Sequence, residues 1–228
     1  MQEHLNYFFF QIFPYIAILA FVLGCVLRFD RDPYSWRSKS SQLLRRKQLI
    51  AGSVLFHLGI LVVLAGHAVG LLTPIAVFDA LKISHGFKQL MAIVVGGIAG
   101  VVCFIGLALL LHRRLCDPRI RMTSSFADIA ILVLLMAQLL LGLLTIPFSM
   151  QHLDGHEMVK FMNWAQHIVT FRGGAHAFIA DTAWVFKLHI SLGLFILLVF
   201  PFTRLVHALS APVNYLARPY QIVRKRAS

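Results

Sequence analysis

The sequence has 228 residues, of which 59% are hydrophobic and only 13% are charged, and its mean hydropathy is +0.78. These values exclude an ordinary soluble domain and indicate a chain embedded in a membrane. A formal net charge of +12 would suggest a nucleic-acid partner in a soluble protein. In a membrane protein, basic residues gather on the cytoplasmic side because they set the topology, so we expect no nucleic-acid partner.

Five apolar segments are long enough to cross the roughly 30 Å of hydrocarbon in a bilayer. They are residues 8–27, 49–72, 89–111, 126–147 and 183–205. Pro74 and Pro147 lie where the second and fourth helices should end, because proline cannot continue a helix. The start of the chain has no basic segment and the first apolar run has no cleavage site, so we expect a retained helix. The fold class predicted is an all-α integral membrane protein with five transmembrane helices.

The basic residues predict which way this bundle crosses the membrane. Sixteen lie on one side: Arg28, Arg31, Arg37, Lys39, Arg45, Arg46, Lys47, Arg113, Arg114, Arg119, Arg121, Arg204, Arg218, Arg224, Lys225 and Arg226. Five lie on the other: Lys82, Lys88, Lys160, Arg172 and Lys187. The N-terminus is therefore expected outside and the C-terminus in the cytoplasm. Residues 1–228 form one transmembrane bundle, and 208–228 form a basic tail that would dock a partner or contact anionic lipid.

The outer connection between the fourth and fifth spans, residues 148–182, is the longest, and we expect a loop with a short surface helix there. The three cysteines lack the C-x-x-C spacing of iron–sulfur, zinc or covalent haem sites, so any redox group must be held by other residues.

Four of the eleven histidines lie in or at the end of predicted spans, where ionisable side chains are costly and usually functional. His57 and His67 belong to the second span, and His189 and His207 lie near the two ends of the fifth. Because these spans run in opposite directions, the topology pairs His57 with His207 on the cytoplasmic side and His67 with His189 on the outer side. A haem held between two imidazoles has no open position, which suits electron transfer.

The helical geometry leaves one mismatch in this pairing. Ten residues between His57 and His67 span about 15 Å, whereas eighteen residues between His189 and His207 span about 27 Å in a continuous helix. Crossing angles and an end of the regular helix before His207 would absorb the difference. A proton relay, a zinc site and simple hydrogen bonding are the alternative roles for these histidines.

Small residues and two arginines accompany the histidines, and each has two interpretations. Gly59, Ala65, Gly66, Gly70 and Gly193 either permit close helix packing or leave room for a flat macrocycle. Arg114 and Arg204 either pair with haem propionates or simply belong to the cytoplasmic basic set.

Several longer strings are similar to those of a known family. They are L-F-H-L-G-I-L at 55–61, G-H at 66–67, G-L-L-T-I-P-F-S at 142–149, W-A-Q at 164–166, F-K-L-H at 186–189 and F-P-F-T-R-L-V-H at 200–207. The chain closely resembles, over essentially its whole length, the gamma subunit of respiratory nitrate reductase, a membrane cytochrome b. The stretch 81–87 departs from the family pattern and contains an extra residue.

The resemblance implies two haems b, a distal one held by His67 and His189 and a proximal one held by His57 and His207. Quinol, either menaquinol or ubiquinol, would be oxidised near the distal haem, with Lys88, Gly66 and His67 at its site. Electrons would pass to an iron–sulfur beta subunit and then to a molybdenum-containing alpha subunit that reduces nitrate. The protein would belong to the bacterial inner membrane and contact its lipid.

Two other functions remain open at this stage. The first is the related two-haem subunit of a sulfur-metabolism or heterodisulfide-type complex. The second is a transporter or channel whose histidines relay protons, although the sequence contains no inverted repeat and no interrupted helix of the transporter type.

Overall fold

The computed structural model of the chain describes residues 2–36 and 44–210. Most of the basic tail predicted at 208–228 lies outside the described residues, so its docking role stays a prediction. Within the described ranges the chain forms helices and no strands. This agrees with the predicted fold class, because a helix satisfies all its backbone polar groups internally within lipid.

Five helices are long and apolar enough to cross a membrane, which confirms the predicted number. They are Gln2–Arg31, Arg46–Leu72, His85–Cys116, Phe126–Ser149 and Trp184–Phe202. The first four are longer than the predicted segments. The second span ends before Pro74, as predicted, whereas the fourth continues past Pro147 to Ser149, which corrects its predicted end.

The end of the fifth span differs from the prediction of an apolar helix through residue 205. The α-helix covers Trp184–Val199 and is followed by a 3-10 turn at Phe200–Phe202. Thr203 is extended (φ −114°, ψ 178°), and a second 3-10 segment covers Arg204–Ser210. Pro201 lacks an N–H group and cannot continue the α-helical hydrogen bonding. The regular helix therefore ends before His207, and the expected 27 Å interval does not apply.

The ends of the bundle are made by different connections. We call the end with Gln2 and residues 150–183 the N-terminal face, and the end with residues 32–36 and 117–125 the C-terminal face. The connection at the N-terminal face contains the helices His156–Val169 and Ala175–Ile179, which confirms the predicted surface helix.

The longer of these surface helices packs on the first span and completes its backbone hydrogen bonding. Trp164, Ala165 and Ile168 form a buried cluster with Phe10. Phe10 lies in a π-helical turn, and Trp164 Nε1 donates to its carbonyl oxygen at 2.9 Å. A π-turn disturbs the regular hydrogen bonds of a helix, so this indole bond satisfies a group exposed by the distortion.

The spans pack in the order second, third, fourth, fifth and first. The closest approach joins the second and third spans, where a Cβ on Gly59 would lie 2.6 Å from the carbonyl oxygen of Ala99 and from atoms of Cys103. Close packing therefore explains Gly59. In contrast, a Cβ on Gly66 or Gly70 would have no neighbour within 4 Å, so helix packing does not explain these two glycines.

Replacing Gly59 with alanine should force the second and third spans apart, because the new methyl group would meet backbone atoms. We expect a loss of about 1–3 kcal/mol, as is typical of overpacking, measured as a lower thermal midpoint of the helical circular dichroism in detergent. Gly96→Ala is the matched control, since its methyl group would meet nothing within 4 Å. Equal midpoints for the two variants would contradict the packing role.

Candidate functional site

Four histidines form two facing pairs. His57 and His67 lie on the second span, His189 lies on the fifth, and His207 lies on the segment that follows the fifth. The ring centroids of His57 and His207 are 6.2 Å apart with an interplanar angle of 71°. Those of His67 and His189 are 6.1 Å apart with an angle of 41°. These are the pairs that the topology predicts, and they lie at different depths because ten residues separate His57 from His67.

Both separations match the distance that a shared metal ion requires. A metal binds an imidazole nitrogen at about 2.0–2.1 Å, and this nitrogen lies about 1.1 Å from the ring centre, so two imidazoles on opposite sides of one ion have centroids about 6.2 Å apart. At this separation the two rings of a pair are too far apart for a direct hydrogen bond between their nitrogens. Each pair therefore has the geometry to hold one metal between two nitrogens.

Three of the four rings are oriented by a backbone carbonyl one helical turn earlier in the chain. His57 Nδ1 donates to the carbonyl of Ser53 at 2.7 Å, and His67 Nδ1 donates to that of Val63 at 2.8 Å. His207 Nδ1 donates to the carbonyl of Arg204. A carbonyl only accepts, so Nδ1 carries the proton and Nε2 keeps the lone pair that binds a metal.

The histidine pairs bridge a gap in the helix packing. Among the described residues, the second and fifth spans form no close helix interface with each other, although the ring centroids of the paired histidines are 6.1 and 6.2 Å apart. The described ranges also contain no group of three or more His, Cys, Asp or Glu side chains able to hold a bare ion. Each pair thus offers two imidazole nitrogens across the space between these helices.

Comparisons with known proteins show the family of the chain. The family model described as the nitrate reductase gamma subunit matches residues 6–226. The chain belongs to the nitrate reductase gamma subunit family. It is 52% identical over 225 residues to the respiratory nitrate reductase 1 gamma chain of Escherichia coli, covering 99% of this chain and all of that one. It is 41% identical over 216 residues to the nitrate reductase gamma chain of Bacillus subtilis, covering 95% of this chain and 96% of that one. As a gamma subunit it is a multi-pass protein of the bacterial inner membrane.

The surroundings of His189 differ from those of the other three paired histidines. Its Nδ1 is buried without a hydrogen-bond partner among the described residues. Its backbone carbonyl accepts a bond of 3.0 Å from Gln138 Nε2 on the fourth span. A Cβ on Gly142 would lie 3.0 Å from its Cε1 atom. The fourth span therefore restrains His189 at two points, its ring at Gly142 and its backbone carbonyl through Gln138.

Lys88 and Gly66, which were predicted at a quinol site, both lie toward the N-terminal face. The Lys88 side chain is buried, with its residue only 9% exposed. Its ammonium group lies 3.3 Å from Met162 Sδ and 4.0 Å from the ring centre of Phe78. Within the described residues it makes no hydrogen bond to Gly66 or His67. The structure thus brings Lys88 to the expected end of the bundle without joining it directly to the distal pair.

Arg114 and Arg204, predicted as propionate partners, both approach the same carboxylate. Arg204 Nη2 lies 2.8 Å from Asp128 Oδ1, and its Nε donates to that oxygen at 2.9 Å. Arg114 Nη1 lies 3.8 Å from Asp128 Oδ2 and donates to Ser124 Oγ at 2.7 Å. Each arginine is therefore engaged by protein groups at the C-terminal face, next to the segment that bears His207.

The sequence reasoning missed Asp128, Arg28, Gly142 and Gln138. Asp128 had a visible signal, since it is the one acidic residue in the fourth span and follows Ser125 with the spacing of a capping box, which the structure contains. Arg28 had no such signal because it belongs to a large basic set. Gly142 was part of a family string, but its contact with His189 is visible only in the fold.

Replacing Gly142 with valine should displace the ring of His189, because its side chain would occupy the space of the imidazole. The resemblance implies a haem between His67 and His189, and we expect its low-spin ferric signal in an electron paramagnetic resonance spectrum to shift or weaken, with the signal of the His57–His207 site unchanged. Gly97→Val is the control, since its Cβ would meet the fourth span at Ile146 Cδ1, at 3.3 Å, and not the ring of His189. An unaltered spectrum of Gly142→Val would contradict the predicted contact.

Proposed function

We propose that this chain is the two-haem cytochrome b of a nitrate reductase complex, oxidising quinol near the outer membrane face and delivering electrons to the cytoplasmic side. His57 and His207 would hold the proximal haem b, and His67 and His189 the distal one. When bound, the haems would supply one-electron redox chemistry, and the two imidazoles of each pair would hold one haem. The chain supplies the ligands, their orientation and a low-dielectric surrounding.

The observation that carries the proposal is the equal ring separation of two pairs at two depths. His57 and His67 are ten residues apart, and ten residues also lead from His189 to Val199, where the α-helix ends. At about 1.5 Å per residue both intervals are about 15 Å. The chain leaves the α-helix at this point, and the ring of His207 lies 6.2 Å from that of His57, centroid to centroid. A chance cluster of polar side chains has no reason to reproduce one spacing twice.

The predicted quinol site fits the chemistry of the N-terminal face. Lys88 contacts a thioether sulfur and an aromatic face, both weak partners for an ammonium group that has three donors. It therefore keeps the capacity to donate to a quinol oxygen. Gly66, next to His67, has open space where a side chain would otherwise stand. We propose these three residues as the quinol site.

The direction of electron flow follows from the charge on the two faces. By sequence, sixteen basic residues belong to the connections after the first and third spans and to the chain at and after the end of the fifth, against five elsewhere, which supports an N-terminus outside and a C-terminus in the cytoplasm. Quinol oxidised outside releases two protons outward and two electrons inward. Each electron moved across the full potential corresponds to about 2.3 kcal/mol per 100 mV. An iron–sulfur beta subunit would receive the electrons and pass them to a molybdenum-containing alpha subunit.

Two rival functions are weaker. A subunit of a sulfur-metabolism or heterodisulfide-type complex shares the two-haem arrangement, and co-purified subunits would distinguish it. A proton-relaying transporter would need the histidines to form a path, whereas these form two separate pairs at the spacing of a bound metal. It would also be colourless when purified.

Single alanine variants of the four histidines should each remove one haem of two from the purified complex. His57→Ala and His207→Ala should lose the same haem signal in reduced-minus-oxidised spectra, and His67→Ala and His189→Ala the other. His67→Ala should also abolish quinol oxidation. His167→Ala is the control, because its Nδ1 makes the same type of carbonyl bond, at 2.8 Å, without facing another histidine. Two haems in any of the four variants would refute that assignment.

Replacing Lys88 with methionine should slow quinol oxidation while both haems stay bound. Methionine keeps the length of the side chain and loses the donor, and a hydrogen bond to a charged group contributes about 1.5–3 kcal/mol, which corresponds to about a 10- to 100-fold effect on turnover. Lys160→Met is the control, since Lys160 pairs with Glu157 at 2.7 Å on the surface helix. Wild-type quinol kinetics in Lys88→Met would exclude a role in the quinol site.

A further inference from the structure

The segment that carries His207 is the one part of the proposed haem sites that is not an α-helix. Residues Phe200–Ser210 form two 3-10 pieces separated by the extended Thr203. Short 3-10 pieces have weaker hydrogen bonds than an α-helix and do not by themselves fix a side chain. Something outside the segment must therefore determine where His207 stands.

Arg28, at the end of the first span, supplies one such restraint. Its Nη1 donates to the carbonyl of Pro201 and, at 2.9 Å, to that of Thr203. Its Nε and Nη2 donate to the side-chain and backbone oxygens of Ser35 at 3.0 and 3.1 Å. One guanidinium group thus satisfies two carbonyls at the break in the fifth span and joins them to the first span.

Gly24 allows the same two spans to meet at this point. A Cβ on Gly24 would lie 2.7 Å from the side-chain atoms of Pro201, which is fully buried. The contact holds the proline ring against the first span, one helical turn before Arg28.

Asp128, on the fourth span, restrains the next residues. It is 7% exposed and its carboxylate binds the guanidinium of Arg204 through two short contacts of 2.8 and 2.9 Å. The carbonyl of the same Arg204 accepts the proton of His207 Nδ1. The side chain of Arg204 is held by Asp128, and its backbone in turn orients the imidazole.

We propose that Arg28 and Asp128 are positioning residues that set the depth and ring orientation of His207 from two different spans. The inference rests on the proposed function, since it assigns the two residues a role toward the haem held by His57 and His207. Neither residue needs to touch that haem. Their effect should be confined to it, because His67 and His189 are held by helical backbone and by the fourth span.

The test uses the assembled complex purified from membranes, with Asp128→Asn, Asp128→Glu, Arg28→Gln and Arg28→Lys in this chain. Asparagine keeps an oxygen for the Ser125 cap, at 3.1 Å in the structure, and removes the charge that holds Arg204. Haem per chain, the midpoint potential of each haem and the paramagnetic resonance signal of each ferric haem are measured. Asp154→Asn, on an exposed loop residue at the N-terminal face, is the control.

We expect Asp128→Asn and Arg28→Gln to weaken retention of the haem at His57 and His207 by about 10- to 100-fold, the usual effect of losing support for a metal-binding histidine. Any haem remaining there should have a shifted potential and signal. Asp128→Glu should recover most of the wild-type signal, and Arg28→Lys less, since lysine cannot bridge the four oxygens. The haem at His67 and His189 serves as the internal control for folding.

Three results would overturn these conclusions separately. Unchanged signals of both haems in Asp128→Asn and Arg28→Gln would reject the positioning role. Loss of both haems together would also reject it, because the effect would then be a general loss of folding. A wild-type complex whose gamma subunit contains no haem would instead reject the proposed function itself.

Discussion

The distance between facing imidazole rings is the constraint on which the arrangement of this bundle depends. The ring centroids of the two pairs are 6.1 and 6.2 Å apart, and among the described residues the second and fifth spans form no close interface with each other. The third and fourth spans then carry most of the helix contacts. Gly59 accordingly permits the close approach of the second and third spans, whereas a Cβ on Gly66 would have no neighbour within 4 Å.

Lipid imposes the second constraint, because unsatisfied backbone groups and unpaired charges are costly there. Three irregular points in or next to the spans are each accompanied by a side chain that donates to an exposed carbonyl. Trp164 completes the π-turn at Phe10, Gln166 Nε2 donates to the carbonyl of Thr73 at 3.0 Å, and Arg28 completes the break near Pro201. The two faces of the bundle are thus held by polar contacts that long-range folding brings together.

The two proposed haem sites are built differently, and this difference has a functional meaning. His67 is the last residue of an α-helix, His189 lies within one, and the ring of His189 lies against the fourth span at Gly142. The proximal pair includes His207, whose position depends on contacts from the first and fourth spans. The proposed proximal site is therefore the one coupled to the loops and charges of the C-terminal face.

The sequence by itself determined the five spans, the family and the pairing of His57 with His207 and of His67 with His189, since apolar length, chain direction and histidine position are local properties. It failed at the end of the fifth span, where an apolar run through Leu205 does not reveal that Pro201 ends the α-helix against Gly24. Only the tertiary structure decided that Arg204 turns to Asp128, and that Arg28 reaches across to the carbonyls of the break. Arg204 and Asp128 are 76 positions apart in the chain, and Arg28 and Thr203 are 175 positions apart. No local pattern encodes which of the many basic residues makes these contacts.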